Sequence, residues 1–351
     1  MATRAGFATA VAESQVVFRF PDASHAMVEV RVWLNLGSKS AAMPMNPVDG
    51  GWELAVPRLP VWRLEYLFEQ RAADGSQARI CDPAPMPRVR TVFGEHSVIE
   101  FAAYRRPRWL TEPTVRGTSR TLTVAEKAHA CVPVTLWAPA TASDEERLPL
   151  LLVHDGPEFD ALAAISGFSA AMIAAGRLPA HRLALLGPGD RNRWYAASAQ
   201  YADTLSRTVV PAIFEAVAVR GRPVLAGASL GALAALHAAS RAPRTFGGLF
   251  LQSGSFFRVQ SDEHESSFPA FDAITTFVAT VAQQRWSDVL TIGMTCGLGE
   301  ENLANNRQMV TELARCGHRV RLAELPDAHT FTAWRDALDP HLLDLLVEVW
   351  S

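Results

Sequence analysis

Two hydrophobic periods divide the chain. Between residue 15 and about residue 103 apolar positions recur every second residue. Val28, Val30, Val32, Leu34 and Leu36 alternate with other residues, which is the pattern of a half-buried strand. Further strands are expected at Trp52–Val56 and Arg63–Gln70, separated by a proline-containing link. Asp74-Gly75 marks a hairpin turn, and Val98–Phe101 closes the block. The proline-rich stretch from Cys81 to Pro87 reads as loop, because proline cannot donate to a sheet ladder. Short strands, turn signals and no helical period predict an immunoglobulin-like β-sandwich over residues 1–105.

Residues 106–118 read as a linker, and the pattern then changes. Apolar runs at 119–126, 132–138, 149–153, 182–187, 223–227, 247–252, 288–295 and 319–325 predict strands. Helical runs fall at 159–175, 200–219, 230–241, 269–284, 302–316 and 331–349. Strands alternating with helices predict an α/β domain over 119–351 with a mostly parallel sheet. No helix separates its first two strands, so an antiparallel start is expected.

Within that domain, Gly227-Ala228-Ser229-Leu230-Gly231 joins a strand candidate to a helix candidate. A G-x-S-x-G so placed is the nucleophile elbow of an α/β-hydrolase. The chain must reverse sharply to expose one serine, and side chains two positions away would collide across the turn. The serine then stands at a helix N-terminus, where free amides favour negative charge. Serine alone is a weak nucleophile and needs a base, which needs an orienting acid.

In chain order the acid and then the histidine follow the serine. His329 lies in Pro326-Asp327-Ala328-His329, after the last strand candidate, and is the predicted base. Glu300, in the turn after the preceding strand, is the predicted acid, with Glu301 next and Asp327 third. Leu230 supplies one oxyanion N–H. The second comes from Gly156 or Glu158, since Pro157 has none. Arg191, Trp194 and Tyr195 follow a strand's carboxyl end, where such folds bind ligands, and are candidates for holding an anionic or aromatic substrate group. Ser253 is expected to line the pocket wall. His154 and His237 read as structural, and Trp334-Arg335 as an anchor for the last helix.

Composition narrows the picture further. A chain of 351 residues with 49% hydrophobic content suggests two globular domains. A formal net charge of −3 gives no reason to expect nucleic acid or an anionic membrane as partner. Cys81, Cys131, Cys296 and Cys316 have neither zinc nor disulfide spacing and read as buried free thiols. Ser261 to Glu265 fits no zinc pattern. Neither a leader nor a bilayer-spanning run is evident, so a cytoplasmic protein is expected.

These residues resemble the enterochelin (ferric enterobactin) esterase-like proteins of the esterase D superfamily, over nearly the whole chain. The resemblance rests on Asp155-Gly156, the elbow, Gly297-x-x-Glu300 with Asn306, and His329 followed by Trp334-Arg335. In the first block it rests on Gly50-Gly51-Trp52-Glu53, Leu64-Glu65-Tyr66 and Asp82-Pro83. Arg191 is followed by Asn192-Arg193-Trp194-Tyr195, without the Glu of the family's Arg-x-x-Glu-Leu. The resemblance implies an esterase acting on siderophore or related esters, with Ser229, Glu300 and His329 as triad and no metal or organic cofactor. An acyltransferase of the same fold and a catalytically idle hydrolase-fold binding protein are the alternatives. The expected partner is a small-molecule ester.

Overall fold

The structure, a computed structural model, describes residues 7–37, 42–124 and 132–351. Cys131, the end of the first predicted strand at 125–126, and residues 1–6 lie outside the described residues. Among the described residues no helix is long and apolar enough to cross a membrane. The chain forms two compact units. One holds residues 1–105 together with 297–301 and 325–330; the other holds 106–296, 302–324 and 331–351.

The first unit is built of two antiparallel sheets. One runs in the order β1 (Ala10–Val11), β2 (Gln15–Pro21), β6 (Gly51–Pro57), β5 (Asn46–Val48). The other runs β4 (Ala42–Pro44), β3 (Met27–Leu34), β7 (Arg63–Ala72), β10 (Gly94–Glu100), β9 (Arg88–Thr91), with β8 (Gln77–Ile80) also on β7. Alternate residues of both sheets meet in one core, including Phe18, Phe20, Val30, Val32, Tyr66, Phe68 and Ile99. Cys81 to Pro87 is loop, as proline content requires. Val28 departs from the expected alternation. The β3–β7 register shifts between Met27 and Glu29, and this irregularity turns Val28 outward, 48% exposed.

The second unit carries an eight-stranded sheet: β11 (Gly117–Val124), β12 (Val132–Pro139), β14 (Arg182–Leu186), β13 (Leu150–Val153), β15 (Val224–Ala228), β16 (Gly248–Gln252), β17 (Thr291–Gly297), β18 (Arg319–Leu325). β11, β12 and β14 pair antiparallel. The ladders from β14 through β13, β15 and β16 to β17 are parallel. Central strands β13, β14, β15 and β16 are buried throughout, as continuous apolar runs dictate for a sheet covered on both faces. Two apolar cores occupy those faces.

The helices are α1 (Gly156–Ala163), α2 (Ile165–Ala174), α3 (Arg191–Tyr195), α4 (Ala199–Thr204), α5 (Val210–Ala216), α6 (Leu230–Arg241), α7 (Phe271–Val281), α8 (Leu303–Arg315), α9 (Phe331–Asp336) and α10 (Leu343–Trp350). Three predicted helices are interrupted. The 159–175 run divides at Ala164, held at φ +52°. The 200–219 run passes through a wide π turn at Leu205–Val209, just before Pro211, which has no N–H to give. The 331–349 run is broken at Leu338–Leu342, where Asp339, at φ −111° and ψ 115°, leaves the helical conformation.

Candidate active site

Ser229 sits between β15 and α6 with φ +57° and ψ −124°, half-buried. Such a conformation costs a non-glycine residue about 1–3 kcal/mol and persists only where neighbours enforce it. Here Ser229 N–H donates to the Gln252 carbonyl at 2.8 Å, and its carbonyl accepts Leu233 N–H at 3.2 Å and Ser255 N–H at 3.2 Å. The two glycines serve different ends. A Cβ on Gly227 would lie 2.4 Å from the Gly231 carbonyl oxygen, so the turn itself demands glycine there. A Cβ on Gly231 would instead meet His154 Cβ at 3.2 Å and Asp155 Oδ2 at 3.3 Å. Gly231 is therefore small to admit the neighbouring loop. Leu230 is the first residue of α6, where an amide has no intrahelical acceptor.

The segment expected to be an oxyanion loop is already helix. Gly156 opens α1, with Pro157 in its first turn, and Phe159 N–H donates to the Asp155 carbonyl at 2.8 Å. Gly156 and Glu158 thus both lie in a helical first turn, where N–H groups have no intrahelical partner. Gly156 is buried, and a Cβ on it would come within 2.4 Å of Leu185 Cα, so no other residue fits. Glu158 is half-buried, with Oε2 shielded from solvent.

Arg191 and Tyr195 support this segment from within. Arg191 donates from Nε to Asp155 Oδ1 at 2.8 Å and from its terminal nitrogen to Oδ2 at 2.9 Å. Burial opposes the guanidinium charge, but the Asp155 bonds and charge outweigh it and raise the pKa. Tyr195 is fully buried and its hydroxyl accepts Asp155 N–H at 3.2 Å. Its ring also packs on Tyr201, with centroids 5.4 Å apart. Trp194 is half-buried and stacks on Tyr201 at 5.6 Å, against Gly189. His154 is wholly buried between Tyr195 and Tyr201. Burial, aided by the Arg191 charge, lowers its pKa to about 3, so it stays neutral.

Ser253 also departs from expectation. It is 1% exposed, and its hydroxyl accepts the Trp334 indole N–H at 3.0 Å. The left-handed turn at Ser253, φ +49°, presents Ser255 instead. Ser255 Oγ lies 3.2 Å from Ser229 Oγ, a contact the sequence did not disclose. Two asparagines pin this turn. Asn306 accepts Gly254 N–H at 3.0 Å and donates to the Gly254 carbonyl at 3.0 Å, while Asn302 donates to the Ser253 carbonyl at 2.9 Å.

Glu300 and His329 belong to the first unit. Glu300 follows β17 and His329 follows β18. Glu300 Oε2 lies 2.8 Å from His329 Nδ1, and Oε1 accepts Gly297 N–H at 2.7 Å. A carboxylate accepts and cannot donate, so the imidazole proton sits on Nδ1 and Nε2 is the basic nitrogen. The Glu300 side chain is 2% exposed and that of His329 21%. Glu301 is half-buried, and Asp327 accepts Ala328 N–H at 3.0 Å. Cys296 is buried, with Sγ 3.7 Å from Asn302 Oδ1, whereas Cys81 and Cys316 are half-buried free thiols.

The family model described as "Putative esterase" matches residues 130–345. The iron(III) enterobactin esterase of Dickeya dadantii (strain 3937) is 28% identical over 218 residues, covering 58% of this chain and 49% of that protein. The chain thus spans about half the length of that curated relative. Among solved structures, the enterobactin esterase of Shigella flexneri, crystallised with 2,3-dihydroxy-N-benzoyl-glycine, shares the fold with TM-score 0.73 and 17% identity, over 97% of this chain and 96% of that one. The ferric enterobactin esterase of Salmonella typhimurium gives TM-score 0.75 and 19% identity, over 95% and 93%.

Proposed function

We propose, from the premise that this chain belongs to the esterase family whose model matches it, that it hydrolyses a small-molecule carboxylic ester through a Ser229–His329–Glu300 triad. His329 Nε2 takes the Ser229 proton as Oγ attacks the ester carbonyl. Glu300 holds the imidazole in the Nδ1–H tautomer and stabilises its cation. Leu230 N–H, with a first-turn amide of α1, receives the oxyanion. The imidazolium then protonates the departing alcohol, and water attacks the acyl-enzyme with His329 again as base. None of these steps calls on a metal or organic cofactor.

One observation carries this reading: Ser229 is held at a strained positive φ on a strand-to-helix turn. Packing gains nothing from such strain, whereas an exposed nucleophile requires it. The Asp155–Arg191 pair supports the oxyanion role as well. An unpaired carboxylate beside Gly231 would oppose developing negative charge, and Arg191 neutralises it. The related enterobactin esterases point to a siderophore-type ester as substrate. We assign residues 1–105 to a sandwich, 106–118 to a linker whose last two residues already enter β11, and 119–351 to the catalytic domain, whose loops 297–301 and 325–330 cluster with the sandwich.

A hydrolysis screen over aryl acetates, feruloyl esters and catecholate trilactones tests the reading, with a fluorophosphonate probe alongside. We expect turnover and labelling at Ser229, both abolished in Ser229→Ala. Hydrolysis surviving in Ser229→Ala overturns it. Product analysis with an added acceptor alcohol distinguishes the hydrolase from an acyltransferase.

A further inference from the structure

We infer that the N-terminal sandwich positions the base, through Gly37, Val61 and Trp62 acting on the loops that carry Glu300 and His329. This rests on the proposed triad and adds a role for a part of the chain outside its chemistry. Residues 297–301 and 325–330 cluster with residues 1–105 as one compact unit. The two loops are tied to each other first. Leu298 N–H donates to the Leu325 carbonyl at 2.7 Å and Gly299 N–H to the Asp327 carbonyl at 3.0 Å.

They are then tied to the sandwich at four points. Trp62 N–H donates to the Pro326 carbonyl at 2.5 Å, and the Trp62 carbonyl accepts Phe101 N–H at 2.9 Å. Val61 packs on Gly299 so closely that a Cβ there would lie 2.9 Å from Val61 Cγ1. Ala328 is buried within the sandwich core beside Val61 and its neighbours. Gly37, just beyond β3, lies against the base itself. A Cβ on Gly37 would stand 3.0 Å from His329 Cβ and 3.4 Å from Cγ. The root of the imidazole is thus flanked by bare backbone, while Glu300 fixes Nδ1 at the other end. Loops are ordinarily the mobile parts of a fold, and a displacement of about 1 Å at a reacting group can cost up to about a hundredfold in rate. These contacts restrict that displacement.

The structure supplies its own control. Gly37 and Gly50 both have φ +82°, but a Cβ on Gly50 meets nothing within 4 Å. Gly37→Ala and Gly50→Ala therefore share the same positive φ and differ in the contact with His329. For a small aryl acetate, we expect Gly37→Ala to lower kcat about tenfold or more relative to Gly50→Ala. KM should be little changed, and the acid limb of the kcat/KM pH profile should be displaced. Equal kcat and equal pH profiles in the two variants overturn the inference. If Gly37→Ala does not fold, Val61→Ala carries the test without a clash. A several-fold fall in kcat at unchanged KM supports the inference, and wild-type kcat and pH profile overturn it. His329→Ala separates the two readings: activity retained there refutes the triad, whereas activity lost there with Gly37→Ala equal to Gly50→Ala refutes the positioning role alone.

Discussion

The proposed nucleophile and the proposed acid–base pair are held by opposite strategies. Ser229 is fixed by near neighbours in one unit: two elbow glycines, the Gln252 carbonyl at the end of the next strand, and the Ser253–Ser255 turn beside it. Glu300 and His329 stand on loops fixed by residues more than two hundred positions earlier in the chain, Gly37, Val61 and Trp62. One half of the chemistry is thus local and the other long-range. Local motifs survive change elsewhere. A long-range support makes the second half depend on a domain that contributes no reacting group.

The sharpest break should come at the long-range end. Glu300→Gln keeps the shape but loses the charge that fixes the Nδ1–H tautomer and stabilises the imidazolium. We expect kcat to fall by about a thousandfold, roughly 4 kcal/mol of transition-state stabilisation, with KM little altered. Steady-state kinetics on an aryl acetate measures it. A loss under about tenfold would detach Glu300 from catalysis.

Acid should strike the other half. His154 and His181 are wholly buried, and burial lowers their pKa to about 3 and about 4 from 6.5. Unfolding lets each bind a proton that the folded state refuses, so stability is full above pH 6.5 and falls below it. The loss is about 1 kcal/mol per histidine between pH 6.5 and 5.5, about 2 kcal/mol for the two. Urea midpoints at pH 7.5, 6.5 and 5.5 check this. His237, also lowered to about 4 by burial, and the lowered His318 and His341 add to the slope, so His181→Asn should remove at most about a third of it, and an unchanged slope would count against this.

The same contrast decides what the sequence disclosed. Gly227 to Gly231 carries its own geometry, because the turn, the strand and the helix are contiguous. The Glu300–His329 pair was legible as chain order. Its supports were not, since Trp62 N–H on the Pro326 carbonyl leaves no mark in residue type. Alternation predicted the sandwich strands but not the register shift that turns Val28 outward. Arg191 and Tyr195 are candidate substrate contacts by position alone, and residue type does not reveal their protein partners. Which side chain an arginine meets is settled by packing, and here it is Asp155.

Arg191→Met tests the electrostatic part of the local half. It leaves Asp155, 5% exposed, without its counter-charge while retaining much of the side-chain volume. Removing one partner of a buried pair costs about 3–5 kcal/mol. Arg191 is itself 35% exposed, so water offsets part of the loss and about 2 kcal/mol is expected. Urea denaturation reads the stability, and kcat should fall by about tenfold as the Asp155 charge opposes the oxyanion. Unaltered kcat at reduced stability would confine Arg191 to folding.

Ser255 offers the smallest and most local perturbation. Ser255 is 5% exposed, and among the described residues its side-chain partner is Ser229 Oγ at 3.2 Å. Either oxygen can donate at rest. Once Ser229 gives its proton to the imidazole, its oxygen only accepts, so Ser255 must be the donor to the developing alkoxide. The turn that carries it is pinned by Asn302 and Asn306, so the donor cannot retreat without breaking buried bonds. A net hydrogen bond of this kind is worth about 0.5–1.5 kcal/mol. Ser255→Ala should therefore slow both kcat and fluorophosphonate labelling of Ser229 by about threefold to tenfold, and Ser255→Thr should recover most of the loss. Because the elbow stays intact, Tm should hardly move. Labelling at the wild-type rate in Ser255→Ala would show that Ser229 is set by its turn alone, which is the comparison in its most local form.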